Sequence, residues 1–406
     1  MKRIVITGVG VVTPFGVGLQ TFKEGIFAGR NGIKPITRYS DLPVKYAGEV
    51  DFDPLQYFDK KDVKRLDRFT QFALVAAREA IEAAQLKDVD PYTVGVVFAS
   101  GMGGLEYLES QIVNLYTKGQ RTVSPFTVPA SIINIAAANI AIEHGFHGPT
   151  FAPTTACAAS LDAIGQGYTL LQQEEDLNAV LVGGSEASIT PLGITSFHNM
   201  KALSPLNEPT ASRPFDKRHS GFVMGEGAGA LVLESLEHAL KRGAKPLAEV
   251  VAYAATCDAY HVTAPDPSAE PQAKAIEKAL KRAGITPAQI DYVCAHGTST
   301  PLNDVIETKA IKQALGHHAY EIPVSSVKSM IGHLLGASGA VETVATVLAL
   351  QEQMVPPTIN FQEPAEECDL YYVPNKAEKR TINYALKESL GFGGHNSVLV
   401  LRRYEG

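Results

Sequence analysis

Cysteine is scarce in this 406-residue chain, which has four copies, at positions 157, 257, 294 and 368. No two of them have the spacing of zinc ligands, and four widely separated cysteines do not form the dense framework of a disulfide-stapled domain. The sequence therefore argues against a structural zinc site and against a fold held by disulfides. Free thiols are typical of a reducing compartment, so we expect a cytoplasmic protein.

Long hydrophobic runs and an excess of positive charge are also missing. No apolar segment has the roughly 20 residues that a membrane-spanning helix needs. Residues 1–14 (MKRIVITGVGVVTP) hold only a short apolar run before glycine and proline, which predicts a first strand rather than a signal peptide. The net charge of −7 argues against general binding to nucleic acids, although it leaves room for a local basic patch.

The chain does contain apolar strands that alternate with amphipathic helices. With 45% hydrophobic residues it can bury one large core or two joined ones. A helix is predicted at residues 68–84, and strands are predicted at residues 2–8, 94–99, 179–183 and 229–233. Continuous apolar runs separated by helices predict an α/β fold whose sheet is covered on both faces.

The second half of the chain repeats this order of elements. Its predicted helix covers residues 269–283, and its predicted strands cover residues 248–255, 292–295 and 397–402. A glycine-rich stretch precedes the last strand in each half. We therefore predict a duplicated fold with an N-terminal half at residues 1–244 and a C-terminal half at residues 245–406.

Cys157 lies in a run of small residues at 153–165 (PTTACAASLDAIG), which leads into a predicted helix. Two interpretations are open at this point. A buried cysteine can serve as a small apolar core residue. A cysteine at a helix N-terminus can also serve as a nucleophile, because the helix dipole favours the thiolate.

Two histidines and a lysine stand at similar junctions between a strand and a helix. His296 follows an apolar strand in CAHGTSTPLND, and His333 begins a helix in SSVKSMIGHLLGASG, five residues after Lys328. Sheets of this class bind ligands at the carboxyl ends of their strands, so these residues and Cys157 could converge on one site. A protease-like Cys–His pair would leave the second histidine and the lysine unexplained.

Two glycine-rich stretches carry weaker signals. Residues 8–13 (GVGVVT) lack the third glycine of a dinucleotide-binding fingerprint, which favours a plain strand-to-loop turn. Residues 391–394 (GFGG) surround Phe392 and could form a tight bend before the last strand. Their backbone N–H groups could equally donate to an oxyanion.

Five motifs occur together in the order TTACAAS, RPFDKRHSGFVMGEGAG, AHGTSTPLND, SSVKSMIGHLLGASG and GFGGHN. With this combination the chain resembles, over essentially its whole length, the β-ketoacyl-acyl-carrier-protein synthases, and most of all their synthase II type. The resemblance implies a thiolase-like α/β fold with a five-layered α-β-α-β-α core, and a homodimer. It also implies a decarboxylative Claisen condensation that elongates fatty acids by two carbons on an acyl carrier protein, without cofactor or metal.

The resemblance also implies roles for single residues. Cys157 would carry the acyl chain as a thioester, while His296 and His333 would face the malonyl thioester. Lys328 would hold charge and hydrogen bonds around His333. The other implied roles are an oxyanion hole from the N–H groups of Cys157 and Phe392, a gate at Phe392, contacts to the phosphopantetheine arm from Thr298 and Thr300, and closure of the acyl pocket by Met102.

Acyl carrier proteins are acidic, so the resemblance implies a local basic docking surface on a chain that is itself negative. The matching positions are Lys64, Arg65, Lys118, Arg121 and Lys201. Lys60 and Lys61 lie beside Lys64 on the same predicted helix. For those two, a solvated charged face is an equally good interpretation.

Four positions depart from the usual pattern of the family, namely Val327, Ile331, Ser220 and Glu388. The first two replace threonines with apolar groups of similar shape, which is a mild change. Glu388 replaces an asparagine and adds a charge near the predicted site. We expect it to alter either a structural monovalent-cation site formed with Glu342 or the polar network behind His333.

Alternative functions remain open from the residues alone. A specialised paralogue could serve a dedicated lipid or polyketide pathway, and a non-catalytic partner subunit could set chain length in a heterodimer. Such partner subunits normally lose the nucleophile, which is present here as Cys157. A thiolase-like or acyl-CoA-primed enzyme would need other motifs, and a protein that only binds acyl chains would show no acyl transfer.

Overall fold

The computed structural model describes residues 2–406. The strands are β1 (Ile4–Thr13), β2 (Gly16–Val17), β3 (Lys34–Pro35), β4 (Tyr46–Ala47), β5 (Val94–Ala99), β6 (Thr150–Phe151), β7 (Ala179–Glu186), β8 (Gly227–Ser235), β9 (Ala248–Cys257), β10 (Tyr292–Cys294), β11 (Val324–Ser325), β12 (Met354–Val355), β13 (Glu378–Lys379), β14 (Tyr384–Gly391) and β15 (His395–Arg403). The α-helices are α1 (Leu19–Phe27), α2 (Lys60–Val63), α3 (Arg68–Ala84), α4 (Leu105–Lys118), α5 (Thr127–Ser131), α6 (Ile135–His144), α7 (Ala159–Gln173), α8 (Pro191–Asn199), α9 (Leu236–Lys241), α10 (Glu270–Ala283), α11 (Pro301–Leu315), α12 (Lys328–Ile331) and α13 (Ser338–Glu352).

One continuous sheet runs through the molecule in the order β11-β10-β14-β15-β9-β1-β8-β7-β5-β6, with β2 paired to β1. Within it, β1 is the link between the two halves of the chain. It pairs antiparallel with β8 along most of its length, and with β9 only over Ile4–Ile6. The two half-sheets therefore separate beyond this short contact, and helices fill the space between them.

Helices and half-sheets form five layers. The outer helices α3 and α6 pack on the N-terminal strands, and α10 and α11 pack on the C-terminal ones. Between the half-sheets lie α7 and α13, which contact each other and strands of both halves. Every residue of α13 from Ser338 to Leu350 is buried. A helix that is buried all round, as α13 is, is typical of such a central position.

The segment Gly8-Val-Gly10 lies inside β1, so the predicted turn at this point is wrong and the strand is longer than predicted. The glycines are needed because α3 crosses the strand at this place. A Cβ on Gly8 would lie 2.1 Å from the carbonyl oxygen of Ala80, and one on Gly10 would lie 2.1 Å from that of Ala76. The motif therefore serves close packing between helix and strand.

Most of the predicted elements are present. Helix α3 and strand β5 have the predicted bounds, because long periodic or continuous apolar patterns define both of them. The other predicted strands and the predicted helix at 269–283 are found with shifted ends. The division of the chain at residue 244 stays a prediction. No helix within residues 2–406 combines the length and the apolar character that crossing a membrane requires.

Candidate active site

Cys157 lies in a single 3₁₀ turn, Ala156–Ala158, that runs directly into the central helix α7. Ala156 has a φ of 51°, a left-handed conformation in which a bulky residue would be strained. The loop 391–394 approaches this turn closely. A Cβ on Gly391 would lie 2.7 Å from the carbonyl oxygen of Thr155 and 3.2 Å from the nitrogen of Cys157, so glycine is needed for the approach.

His296 and His333 lie side by side although they come from different elements. His296 follows β10, and His333 lies between α12 and α13, where its backbone pairs with Val223 and Gly225. The two ring centroids are 5.3 Å apart, and the ring planes stand at 87°. Both histidines are buried. The predicted convergence of two histidines is therefore present in the structure.

The hydrogen bonds of the two rings define their tautomers. Nδ1 of His333 accepts the N–H of Leu335 at 3.3 Å and lies 2.9 Å from the hydroxyl of Ser338. Nδ1 of His296 lies 3.3 Å from the Nζ of Lys328, which is a donor only. Because Nδ1 accepts in both rings, each neutral imidazole carries its proton on Nε2. Each ring therefore has an N–H donor left over for a ligand.

Lys328 supports His296 rather than His333, which differs from the expected role. Its Nζ donates to the carbonyl oxygen of His296 at 2.6 Å and pairs with the carboxylate of Glu342. The physical reason is the register of the sheet. Strand β11 pairs in parallel with β10, so the segment after β11 lies beside the segment that carries His296.

A cavity of about 260 Å³ joins these groups. Cys157, His296 and His333 line it together with Thr298, Thr300 and Phe392. The hydroxyls of Thr298 and Thr300 lie 2.8 Å apart. Six of the predicted site residues, from four separate parts of the chain, thus share one cavity.

Two protein-family models match this chain and together cover most of its length. The family model of the β-ketoacyl synthase N-terminal domain matches residues 1–239, and that of the β-ketoacyl synthase C-terminal domain matches residues 247–362. The chain belongs to the β-ketoacyl synthase family. The resemblance predicted from the five motifs is therefore confirmed, together with the class of condensing acyltransferase.

Curated relatives of this synthase align with it over 99–100% of its length. It is 51% identical to 3-oxoacyl-[acyl-carrier-protein] synthase 2 of Synechocystis sp., over 100% of this chain and 99% of that protein. The protein of the same name from Coxiella burnetii is 45% identical over 99% of both chains. A ketosynthase solved with its type II polyketide acyl-carrier protein has a TM-score of 0.92 and 36% identity, over 99% of this chain and 100% of that one. A β-ketoacyl synthase of Burkholderia phymatum has a TM-score of 0.92 and 31% identity, over 100% of both chains. The thiolase-like α/β fold is therefore confirmed as well.

Burial determines the protonation of the catalytic candidates in this synthase. It lowers the pKa of His296 and of His333 well below the ordinary value, and the ammonium of Lys328 lowers both further. Both rings are therefore neutral near pH 7. Burial also raises the pKa of the Cys157 thiol to about 12, against the opposing influence of Lys328 and of the Phe392 N–H. The resting residue is a thiol, whereas a dipole acting alone would favour the thiolate.

The remaining predicted residues lie outside the cavity, with one exception. Lys201 lines its mouth. Met102 does not line it, and the Met102 side chain is 43% exposed. The other four are basic residues. Lys64, Lys118 and Arg121 are exposed, and the Arg65 guanidinium lies 4.5 Å from the centre of the Phe126 ring.

The unusual residues of this synthase lie in three places. Val327 and Ile331 are packed in the apolar core, and Ser220 lines the cavity with its hydroxyl 2.9 Å from that of Ser204. Glu388 is buried behind His296, where its side chain bonds to Glu307. It therefore touches the polar network of His296 rather than that of His333.

Two residues of this network were not predicted from the sequence. The carboxylate of Glu307 accepts the backbone N–H groups of both His296 and Gly297, and so holds the turn that carries the histidine. Lys387 is fully buried beside Glu342. The signal for Lys387 was available, because a Lys-Glu pair interrupts the strand that leads into GFGG, with Ser389 and Leu390 between the pair and the first glycine.

Proposed function

We propose that this synthase elongates acyl chains by condensing malonyl-carrier protein with an acyl group held on Cys157. The observation that carries the proposal is the shared cavity. One nucleophilic side chain, Cys157, and two neutral N–H donors, His296 and His333, line the same space. The arrangement supports acyl transfer followed by stabilisation of an enolate, and it requires no redox chemistry.

In the first half-reaction, the sulfur of Cys157 attacks the thioester carbon of the acyl-carrier protein. The carbon–sulfur bond to the carrier breaks, and the carrier leaves as a thiol with the proton that Cys157 gives up. The carbonyl oxygen becomes an oxyanion on the way. The N–H groups of Cys157 and Phe392 are the donors proposed for it, and the Phe392 N–H already opposes the rise in the pKa of the Cys157 thiol.

In the second half-reaction, malonyl-carrier protein loses CO₂ and leaves an enolate. The Nε2–H groups of His296 and His333 donate to the enolate oxygen, which neutral imidazoles can do without giving up a proton. The enolate carbon then attacks the thioester on Cys157. The product is a 3-oxoacyl thioester two carbons longer, and the released Cys157 thiolate takes one proton from solvent, in keeping with its raised pKa.

Binding of the carrier arm follows from the cavity walls. Thr298 and Thr300 line the cavity with their hydroxyls 2.8 Å apart, and we propose that these hydroxyls bond to the amide groups of the phosphopantetheine arm. Lys201 at the mouth, with Lys64, Arg65, Lys118 and Arg121, is the basic surface proposed for the acidic carrier protein. The four free thiols fit a reducing compartment, and we place the reaction in the cytoplasm.

A homodimer accounts for the exposed apolar surface of the N-terminal half. Helix α4 carries Leu108, Ile112 and Leu115 on one exposed face, and Val128 near it is 68% exposed. Strand β6 ends the sheet at Thr150–Phe151 with both residues exposed, which leaves an edge that a second copy can pair with. Met102 would then be covered by the partner and close the acyl pocket.

A specialised ketosynthase of a polyketide or lipid pathway is the second candidate. One ketosynthase of similar structure, at 36% identity, belongs to a type II polyketide system, and another, at 34% identity, is the ishigamide ketosynthase/chain length factor. Curated proteins named 3-oxoacyl-[acyl-carrier-protein] synthase 2 reach 51% identity over the full length. The higher identity favours fatty acid elongation.

Reconstitution with purified carrier proteins tests the proposal. The synthase is incubated with malonyl-carrier protein and acyl-carrier proteins of increasing chain length, and the products are measured by mass spectrometry. We expect one saturated acyl chain to yield one 3-oxoacyl product longer by two carbons. Repeated condensation of unreduced 3-oxo products would instead support the polyketide alternative.

A further inference from the structure

Strand β14 places two charged residues side by side in the interior. Lys387 has no exposed surface, and Glu388 is 1% exposed. Strands β10 and β15 pair with β14 on both sides at Lys387, and β15 also pairs with it at Glu388. Lysine is almost never fully buried without a partner, because transfer of an ammonium from water costs several kcal/mol. The pair therefore needs a specific explanation.

The carboxylate of Glu342 is the partner that compensates the buried charge of Lys387. The Nζ of Lys387 lies 2.8 Å from Oε2 of Glu342, and it also donates to the carbonyl oxygen of Glu388. The other oxygen of the same carboxylate, Oε1, pairs with Lys328. Glu342 thus bridges two buried ammonium groups, and one of these holds His296 through its ring nitrogen and its carbonyl oxygen.

The buried network contains two lysines, Lys328 and Lys387, and three carboxyl groups. Glu342 pairs with both lysines, and burial raises the pKa of Glu307. Glu388 is the fifth group, and burial together with the neighbouring Glu307 raises its pKa well above the ordinary value. It therefore stays protonated and donates to Glu307 as a neutral acid.

A structural monovalent cation beside Glu342 does not fit these residues. Both carboxylate oxygens of Glu342 already face an ammonium group, so a further cation would lie next to two positive charges. The expected cation site and the side chains present therefore disagree. The disagreement lies at Lys387, whose Nζ takes the place on Glu342 that a cation would need.

We propose that Lys387 is a positioning residue whose ammonium group supplies the positive charge that would otherwise be required beside Glu342. The proposal rests on the catalytic roles assigned above. The ammonium of Lys387 holds the carboxylate of Glu342 in place, and this carboxylate holds the ammonium of Lys328. Lys328 in turn orients the ring of His296. Loss of the Lys387 ammonium leaves Oε2 of Glu342 without its positively charged partner, so a small cation from solution can then bind there.

Two variants separate the charge of Lys387 from its volume. Lys387→Ala removes the ammonium and leaves space beside Oε2 of Glu342, which K⁺ or NH₄⁺ can enter. Lys387→Met removes the same charge but fills most of the space. Both should lose malonyl decarboxylation by about tenfold or more, the cost of a misplaced catalytic group. Only Lys387→Ala should regain it when K⁺ or NH₄⁺ is added.

The experiment compares choline chloride, KCl and NH₄Cl at equal ionic strength, and measures both CO₂ release and the melting temperature. For the unmodified synthase, neither quantity should change between choline and K⁺. For Lys387→Ala, K⁺ or NH₄⁺ should raise the melting temperature by about 2 °C or more through binding to the folded state. The melting temperature does not depend on activity, so it tests the site even if the proposed reaction is wrong.

Three results would overturn the proposal. The first is activation or stabilisation of the unmodified synthase by K⁺ over choline. The second is a folded Lys387→Ala variant that decarboxylates at the normal rate in choline. The third is a folded, impaired Lys387→Ala variant whose melting temperature and CO₂ release respond to neither cation. If the variants do not fold, the measurements on the unmodified synthase decide the question. A requirement of its CO₂ release or melting temperature for K⁺ contradicts the proposal, and equal values in choline and K⁺ support it.

Discussion

The carboxylate of Glu186 accepts a hydrogen bond from the backbone N–H of Gly336 at 2.9 Å. It also accepts the N–H groups of Gly101 and Met102, at 2.9 and 3.1 Å. Glu186 ends strand β7 and is fully buried, so burial raises its pKa against these donors. One carboxylate therefore ties the segment that carries Met102 to the turn that follows His333.

Replacing this carboxylate should loosen both segments. In Glu186→Gln the amide NH₂ group must face at least one of the backbone N–H donors, which leaves a buried donor without a partner. We expect a loss of about 1–3 kcal/mol in the free energy of unfolding, measured with a chemical denaturant. Glu175→Gln, on an exposed glutamate, is the matched control and should change little. Equal stability of both variants would show that the Glu186 hydrogen bonds are not needed.

The acyl-pocket role of Met102 makes a separate prediction about chain length. If Met102 closes the pocket, the larger ring in Met102→Phe should leave less room for long chains. Products from long acyl primers should fall while turnover of short primers stays close to normal, as product masses with a series of primers will show. A loss that is equal at all chain lengths would assign Met102 to packing.

Carrier docking should depend on the basic residues Lys64 and Arg65, which directly follow helix α2. Lys64→Glu with Arg65→Glu should raise KM for carrier-bound substrates, because both changes repel an acidic partner. Arg65 stacks on Phe126, so Lys64→Glu alone is needed to separate docking from packing. Lys241→Glu, on the exposed end of α9, is the control. Unchanged KM at low salt in the double variant would exclude this docking surface.

The carboxyl pair Glu307 and Glu388 predicts how stability depends on pH. Folded Glu388 keeps its proton well above the ordinary pKa, whereas the unfolded chain releases it near pH 4.5. The folded state binds more protons in this window, so this group costs stability progressively as the pH rises above about 4.5. Glu388→Gln can still donate to Glu307 but has no proton to lose.

We therefore expect Glu388→Gln to be more stable than the unmodified synthase, by a difference that grows from pH 5 to pH 8. Melting temperatures across this range measure it. A difference that stays constant with pH would show that Glu388 does not hold its proton in the folded state.

The sequence predicted those parts of the fold and site that local patterns or motifs define. Helix α3 and strand β5 have long, regular apolar patterns, and the cavity residues Cys157, His296 and His333 each lie in a motif. Contacts between distant segments could not be predicted in this way. The packing of Gly8 against α3 depends on where that helix crosses the strand, and a local pattern does not contain this information.

The network behind the histidines shows the same limit. Lys387 comes from β14 and Glu342 from α13, and only the folded core brings them together. The support of His296 by Lys328 also depends on the pairing of β11 with β10. A lysine next to a glutamate inside an apolar strand indicates a buried partner, but it does not say which residue the partner is.

Cys157 and the two histidines divide the labour of the reaction between them. Both rings use Nδ1 as an acceptor within the protein, so neither presents a basic nitrogen to the cavity. Cys157→Ser should therefore lose condensation, because a serine hydroxyl without a general base is a poor nucleophile. Decarboxylation needs only the Nε2–H donors and should continue. His333→Ala should show the reverse, with acylation of Cys157 retained.

The most direct test measures acyl-enzyme mass and CO₂ release from malonyl-carrier protein on these two folded variants. For Cys157→Ser we predict no acyl-enzyme and continued CO₂ release. For His333→Ala we predict normal acyl-enzyme and a fall in CO₂ release of about two to three orders of magnitude, the cost of one lost oxyanion donor. If each variant loses both activities together, the site works as a single unit and the division of labour is wrong.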